Sequence, residues 1–416
     1  MSGFFWNVRG LNKSIKHSVI KKWLEEKQFD FGCLIETRVK EERVPEMVGT
    51  MFKNWSILTN YEHHRLGRIW IVWRNNVRLT PFYKSSQLIR CSIKLEAMQE
   101  EFFCSFVYAS NLDEGRKELW RDLCDHHNSP IIGTKPWMIL GDFNETLDVS
   151  EHSNFDSSPL ITSGMRRFQD TVNHCSLTDM AYHGPLFTWN NKRGADLISK
   201  KLDRVLVNEV WNQDYPQAYS VFDAGGCSDH LRCRIQINTP ALSSRRKPFK
   251  FVNAVTTLAE FLPMVKDFWA NTEPIFLSTS SLHRFSKKLK NLKPQIRGLA
   301  KDRMGNLVKK SREAHEDLCK KQELNLCSPS SQHMEAENEA FTRWEFVAGL
   351  EESFLKQRSK LHWLNIGDQN NKTYHSAIAA REAVNGIREI RCRDGTLVND
   401  ENGIKEEAES FFREFL

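Results

Sequence analysis

Along the first 237 residues, short apolar runs alternate with stretches of helical periodicity. Nine runs, at 3–7, 31–36, 55–60, 69–73, 88–94, 101–109, 137–141, 220–224 and 231–237, have the length and apolar content of buried strands. Ile15, Val19, Ile20, Trp23 and Leu24 recur at helix spacing, and helices are expected again at 116–125 and 162–175. The second of these carries Met165, Phe168 and Val172 on one face. Many strands with a few covering helices predict an α/β body of two packed, mainly antiparallel sheets with helices outside.

The pattern changes near Thr239, where prolines bracket the polar stretch Ser243-Ser244-Arg245-Arg246-Lys247. We therefore divide the chain into a body at 1–238, a linker at 239–250, a helical connector at 251–380 and a small hairpin plus helix at 381–416. In the connector, Leu258, Phe261, Leu262, Val265, Phe268 and Trp269 form an amphipathic stripe, and 282–324 is helix-forming and strongly charged. A Ser/Pro-rich break separates it from a second helical pattern at 335–361, as in an αα-hairpin. Asp394-Gly395 after an apolar run reads as a hairpin turn.

Charge sharpens this division. The formal net charge of +6 is mild over 416 residues, but 284–321 holds thirteen Lys or Arg against four acids. A polyanionic partner suits that segment, and a merely solubilising face is the plainer alternative. The ten cysteines show no metal-ligand spacing, which suggests free thiols, with Cys33, Cys91 and Cys104 filling the core. There is no signal peptide and no apolar run of about 18 residues, so an intracellular protein is expected, with the nucleus as one destination.

Polar groups close several of the apolar runs: Asn7, Glu36, Asp142 with Asn144, and Ser228-Asp229-His230 just before the last strand. Asp203 is embedded among apolar residues. Taken singly, each is explained by a turn or a cap. Taken together, they supply oxygen ligands suited to Mg²⁺ at Glu36 and Asn7, and an imidazole, His230, that Asp203 could orient.

The motifs Trp6-Asn7-Val8-Arg9-Gly10-Leu11, Ile35-Glu36-Thr37, Val107-Tyr108-Ala109-Ser110-Asn111, Gly141-Asp142-Phe143-Asn144, Phe187-Thr188-Trp189, Leu202-Asp203-Arg204 and Ser228-Asp229-His230 resemble those of the endonuclease/exonuclease/phosphatase family. The branch they look like is the LINE-type non-LTR retrotransposon endonuclease of plants. The resemblance implies a DNase I-like four-layer sandwich and Mg²⁺-dependent phosphodiester hydrolysis, with Mn²⁺ as a substitute. It implies Asn7, Glu36 and Asp229 as metal ligands, and Tyr108, Asp142, Asn144, Asp203 and His230 as catalytic residues. Asn111, Thr188, Trp189 and Arg193 would contact substrate. The stretch 361–375 is similar to the connector that leads into such elements' reverse transcriptase, of which no catalytic box is seen. Where apurinic endonucleases carry an acid after Trp-Asn-Val, this chain has Arg9.

The expected partner is DNA, with RNA or other nucleic acid as a candidate ligand of 284–321 and no membrane. Lys13, Lys16, Arg38, Lys40, Arg193 and Lys200 are candidate phosphate contacts, and the 148–161 loop is a candidate for target choice. The alternatives are a phosphatase of the same fold acting on small phosphoesters, and an inactive retroelement remnant that only binds nucleic acid.

Overall fold

The computed structural model describes residues 1–95, 101–130, 132, 134–154, 161–194, 196–237, 249–275, 280–359, 374, 378, 387, 389–398 and 400–415. The chain forms two compact units, one of residues 1–244 with 375–416 and the other of residues 245–374. Most of the expected 239–250 linker and of the 361–375 connector lies outside the described residues, as does the 155–160 part of the loop considered for target choice.

In chain order the strands within residues 1–244 are β1 (Ser2–Asn7), β2 (Phe31–Ile35), β3 (Trp55–Thr59), β4 (Ile69–Arg74), β5 (Val77–Lys84), β6 (Leu88–Leu95), β7 (Phe102–Tyr108), β8 (Trp137–Asp142), β9 (Thr178–Asp179), β10 (Tyr182–His183), β11 (Trp189–Asn190), β12 (Ser199–Lys200), β13 (Asp203–Val207), β14 (Tyr219–Asp223) and β15 (Arg232–Gln236). One sheet runs β10-β14-β15-β1-β2-β4-β3 and the other β5-β6-β7-β8-β13-β9. Pairing is mostly antiparallel; β1/β2, β7/β8 and β10/β14 are parallel.

Strand alternation decides which side chains meet. Phe5 of β1 faces the core between the sheets, with Ile35, Ile71, Phe106, Leu140 and Val205. Phe4 and Trp6 face outward and meet Trp23, Leu24, Leu34 and Trp70. That outer layer is covered by α1 (Ser14–Lys27) and α2 (Val44–Met51), which bury Ile20, Trp23, Leu24, Met47 and Met51. Each fully buried aliphatic or aromatic side chain of this kind contributes about 1.5–3 kcal/mol. On the other sheet, α3 (Asp113–His127) and α4 (Ser163–His174) bring Trp120 and Phe168 into a stack with Phe143, at centroid separations of 4.8 and 5.1 Å for the pairs with Phe168. The expected architecture of two sheets flanked by helices is therefore present.

The nine expected strands all form, but β5, β13 and α2 were not among the expected elements. In β5 Pro81 interrupts the alternation, and the ladder with β6 shifts register between Pro81 and Tyr83. In β13, Asp203 and Arg204 disguise the strand. Arg204 is nevertheless fully buried, because its guanidinium pairs with Glu151 and lies 2.5 Å from Asp179 Oδ2. A short helix, α5 (Glu209–Asp214), capped by the Asn208 side chain, follows β13.

Within the second unit, α6 (Phe261–Ala270), α7 (Ser281–Met304), α8 (Leu307–Cys327) and α9 (Ser331–Ser359) enclose a small core that includes Val255, Phe268, Leu292, Ile296, Leu307 and Leu350. The expected 282–324 helix is broken at Gly305 and Asn306, the latter in the left-handed conformation. The Ser/Pro stretch ends α8 as expected. The C-terminal segment forms a hairpin of β16 (Ile390–Arg391) and β17 (Leu397–Val398), then α10 (Glu401–Phe415). Arg234 of β15 pairs with Glu389 just before that hairpin. Among the described residues no helix is long and apolar enough to cross a membrane, and all ten cysteines are free.

Candidate active site

Strand direction gathers the polar residues at one edge of both sheets. Because β1 and β2 are parallel, with Asn7 opposite Ile35, Asn7 and the following Glu36 emerge side by side. β15 is antiparallel to β1, so its start, preceded by Asp229 and His230, lies at the same end. In the second sheet Asp142 at the end of β8 stands opposite both Tyr108 of β7 and Asp203 at the start of β13. The two edges are joined by a hydrogen bond from Asn7 Nδ2 to Asp142 Oδ2, 2.9 Å.

Gly141 explains why Asp142 can turn inward there. Its φ is +139°, and a Cβ at this position would stand 1.9 Å from the Val107 carbonyl oxygen. Only glycine allows β7 and β8 to approach so closely immediately before the carboxylate.

Hydrogen bonds and one longer charge contact then link the buried groups. The Asn144 amide donates to Asp142 Oδ1 (2.9 Å), and Asn144 Nδ2 donates to the Ala109 carbonyl (2.7 Å). His230 Nδ1 bonds Asp203 Oδ2 at 2.9 Å, while its Nε2 lies 3.9 Å from Asp142 Oδ2. Asp203 is 0% exposed, and its Oδ1 has no hydrogen-bond partner. Burial raises the Asp142 carboxyl, and nearby Asp203 raises it further, against His230 and the bonds from Asn144 and Asn7; the result is about 7. Burial by itself would depress the His230 imidazolium, but Asp203, by charge and hydrogen bond, together with Asp142 and Asp229, raises it to about 9. At neutral pH the site therefore holds a carboxylate able to accept a proton beside an imidazolium able to donate one.

Tyr108 is buried next to this pair. Burial and the charges of Glu36 and Asp142 push its phenol well above the usual range, so it is present as a neutral hydrogen-bond donor. The Arg68 guanidinium lies 5.4 Å from its ring centroid.

Ligand atoms of Asp142, Asp203 and His230 all lie within 4.8 Å of one another, a cluster capable of coordinating a divalent metal. The orphaned Asp203 Oδ1 fits such an ion, whereas a protonated His230 does not. Glu36 follows β2 and Asp229 precedes β15 at the same end of the sheet as Asn7, and their oxygen donors are of the type that suits a hard cation. Arg38 pairs with Glu36, and Arg9 pairs with Asp229.

The other expected residues fall in different places. Thr188 is buried, and its Oγ1 accepts the backbone N–H groups of Leu202 and Asp203, each at 3.0 Å, so it sets the approach to Asp203. Trp189 donates its indole N–H to Asp229 Oδ2 at 3.0 Å, with its ring 6.4 Å from that of His230. Asn111 and Arg193 are exposed, the latter in the 191–198 loop between β11 and β12. Sequence reading did not give a role to Ser228, whose hydroxyl donates to the Asn7 carbonyl (2.7 Å) and accepts the His230 N–H (3.2 Å). Its position two residues before an imidazole, in a polar triplet, was the available signal. Lys16, considered as a phosphate contact, instead donates Nζ to the carbonyls of Val8 (2.5 Å) and Arg9 (3.2 Å).

The chain is similar in structure to several solved proteins. The endonuclease domain of TRAS1, a telomere-specific non-LTR retrotransposon, is 12% identical with a TM-score of 0.45, over 58% of this chain and 99% of that one. AP endonuclease LMAP from Leishmania major is 14% identical with a TM-score of 0.45, over 57% of this chain and 88% of its own. D. rerio TDP2, complexed with single strand DNA product, is 13% identical with a TM-score of 0.39, over 57% and 99%. No curated protein matches by sequence. The family model described as Endonuclease/Exonuclease/phosphatase family matches residues 4–230, more than half of the chain, and the chain belongs to that family.

Proposed function

We propose that this chain is a Mg²⁺-dependent phosphodiesterase that nicks DNA, of the LINE-type retrotransposon branch. The observation that carries the reading is the line Asn7, Asp142, His230, Asp203 across both sheets, in which Asn7 bonds Asp142, Asp203 bonds His230, and His230 Nε2 faces Asp142 Oδ2 at 3.9 Å, a proton donor beside a proton acceptor. Family membership supports phosphoester chemistry, and the basic α7 surface supports a polyanionic substrate.

In this reading Glu36, Asn7 and Asp229 would hold Mg²⁺, which supplies charge neutralisation at the phosphoryl oxygens. Asp142, oriented by Asn7 and by the Asn144 amide, takes a proton from the attacking water, and the Asn144 side chain helps to place that water. His230, held by Asp203, donates to a phosphoryl oxygen as negative charge builds there. Tyr108 donates its hydroxyl at the scissile phosphate. Thr188 acts by fixing Asp203, while Trp189, Asn111 and Arg193 line the path of the strand. The exposed cations Lys287, Lys290, Arg297 and Lys301 of α7 engage backbone phosphates of DNA or RNA.

The test is nicking of supercoiled plasmid with Mg²⁺ or EDTA, alongside release of phosphate from soluble phosphoesters. Nicking is expected with Mg²⁺ only, and Glu36→Ala and His230→Ala each lower it by on the order of 10²–10⁴-fold. Equal nicking by both variants removes the site assignment, and turnover of soluble phosphoesters without nicking moves the protein to the phosphatase class.

A further inference from the structure

Two ion pairs at the site have an unusual division between buried and exposed partners. Arg9 Nη1 sits on Asp229 Oδ2, and Arg38 Nη2 on Glu36 Oε1. The carboxylates are enclosed, at 2% and 9% side-chain exposure, whereas the guanidiniums are half in solvent, at 52% and 54%. In each pair the anion is anchored and the cation is the part that can leave.

The backbone beneath both arginines is tightly fixed. Arg9, Glu36 and Arg38 have φ of +45°, +55° and +53°, a left-handed conformation that costs a side-chain-bearing residue about 1–2 kcal/mol. Such conformations persist when surrounding bonds determine them. Here the two loops are zipped together by Val8 N to Ile35 O (3.1 Å), Gly10 N to Glu36 O (2.7 Å) and Leu11 N to Thr37 O (2.8 Å). Asn12 Nδ2 adds a bond to the Arg38 carbonyl, 3.0 Å. Asp229 has its own support from the Trp189 indole, so it stays in place without Arg9. Among the described residues each guanidinium has this one side-chain acceptor, which leaves most of its five N–H donors available.

We propose that Arg9 and Arg38 are counter-cations for Asp229 and Glu36 that compete with a divalent metal ion for these carboxylates and turn onto the phosphates of the nucleic-acid substrate when the ion binds. This rests on the reading of Glu36 and Asp229 as metal ligands. A divalent ion added to carboxylates already matched by two guanidiniums leaves surplus positive charge at the mouth of the site. A phosphodiester backbone relieves it, since its oxygens accept the displaced forks. Metal and substrate binding are then thermodynamically coupled, each tightening the other.

The experiment is Mn²⁺ binding to the full chain by calorimetry and electron paramagnetic resonance, with and without a phosphorothioate-linked DNA duplex. Arg9→Gln and Arg38→Gln are each expected to tighten Mn²⁺ binding in the absence of DNA by roughly tenfold. The duplex tightens Mn²⁺ binding to the wild type and does so less in the double variant. Arg9→Lys and Arg38→Lys keep the wild-type affinity, and metal-free melting curves identify any variant that has not folded. Unchanged or weaker Mn²⁺ binding by folded Gln variants overturns the proposal while plasmid nicking by the wild type leaves the proposed function standing. A folded wild type that binds no Mn²⁺ under either condition overturns both.

Discussion

The two units handle charge in opposite ways. In the sheet unit the charged Asp142, Asp203 and Arg204 are essentially fully buried, each held by a specific partner, Asp142 by the Asn7 carboxamide. In the helical unit most charges of α7 lie outside: it carries eight Lys or Arg and one Asp, and most of these cations are exposed, Lys288 being the buried exception. Buried ions bear a desolvation cost that only specific partners offset, so their removal is felt strongly and locally. Surface ions cost little to place, contribute little to stability and act through their summed field. The first arrangement suits chemistry at a point; the second suits capture of a polyanion.

That contrast can be broken most directly through Arg204. Arg204→Met leaves Glu151 and Asp179 without their main counter-ion, and an unfolding free-energy loss of about 3–5 kcal/mol is expected from denaturant titration. Lys309→Ala removes the exposed pair with Glu313 on α8 and is expected to cost less than about 0.5 kcal/mol. Comparable losses at the two positions would abolish the distinction.

A second measurement sharpens it through pH. His230 is raised in the folded protein from 6.5 to about 9, so its pairing contributes stability that is fully present below pH 6.5 and is lost as the pH rises through about 9. In metal-free protein the melting-temperature gap between wild type and His230→Gln should therefore be widest near the acid end of that window and close above it. Titration of the His230 ring by NMR at or below 6.5 would contradict this account.

The smallest expected effect concerns α7. Lys287→Glu combined with Lys290→Glu should leave stability nearly unchanged, weaken DNA binding at all sequences, and lower the salt slope of the binding constant by about one for each phosphate no longer engaged. An unaltered slope would mean that this face is only solvated.

Much of the sheet unit was legible because buried strands of two packed sheets leave long apolar runs, and because polar residues that close such runs are conspicuous. Asn7, Glu36, Asp142 and His230 stood out for that reason. Thr188 illustrates what was not legible: its place in a motif suggested contact with substrate, but nothing along the chain showed that its hydroxyl also accepts the backbone N–H groups of Leu202 and Asp203. Strand β13 was hidden because Arg204 is polar by composition and buried only through partners at residues 151 and 179, distant in sequence.

By itself the sequence determined the two flanked sheets, the largely helical region that follows them and the residue types available for chemistry, since periodicity and burial preference are local properties. Tertiary structure alone decided which of those groups meet. The parallel pairing of β1 with β2 and the opposition of Asp142 to Asp203 set the hydrogen bonds and the local dielectric, and with them the proton affinities of Asp142 and His230. The same convergence brought Arg9 onto Asp229, 220 residues away in sequence, whereas Arg38 reaches Glu36 from two residues along the same loop.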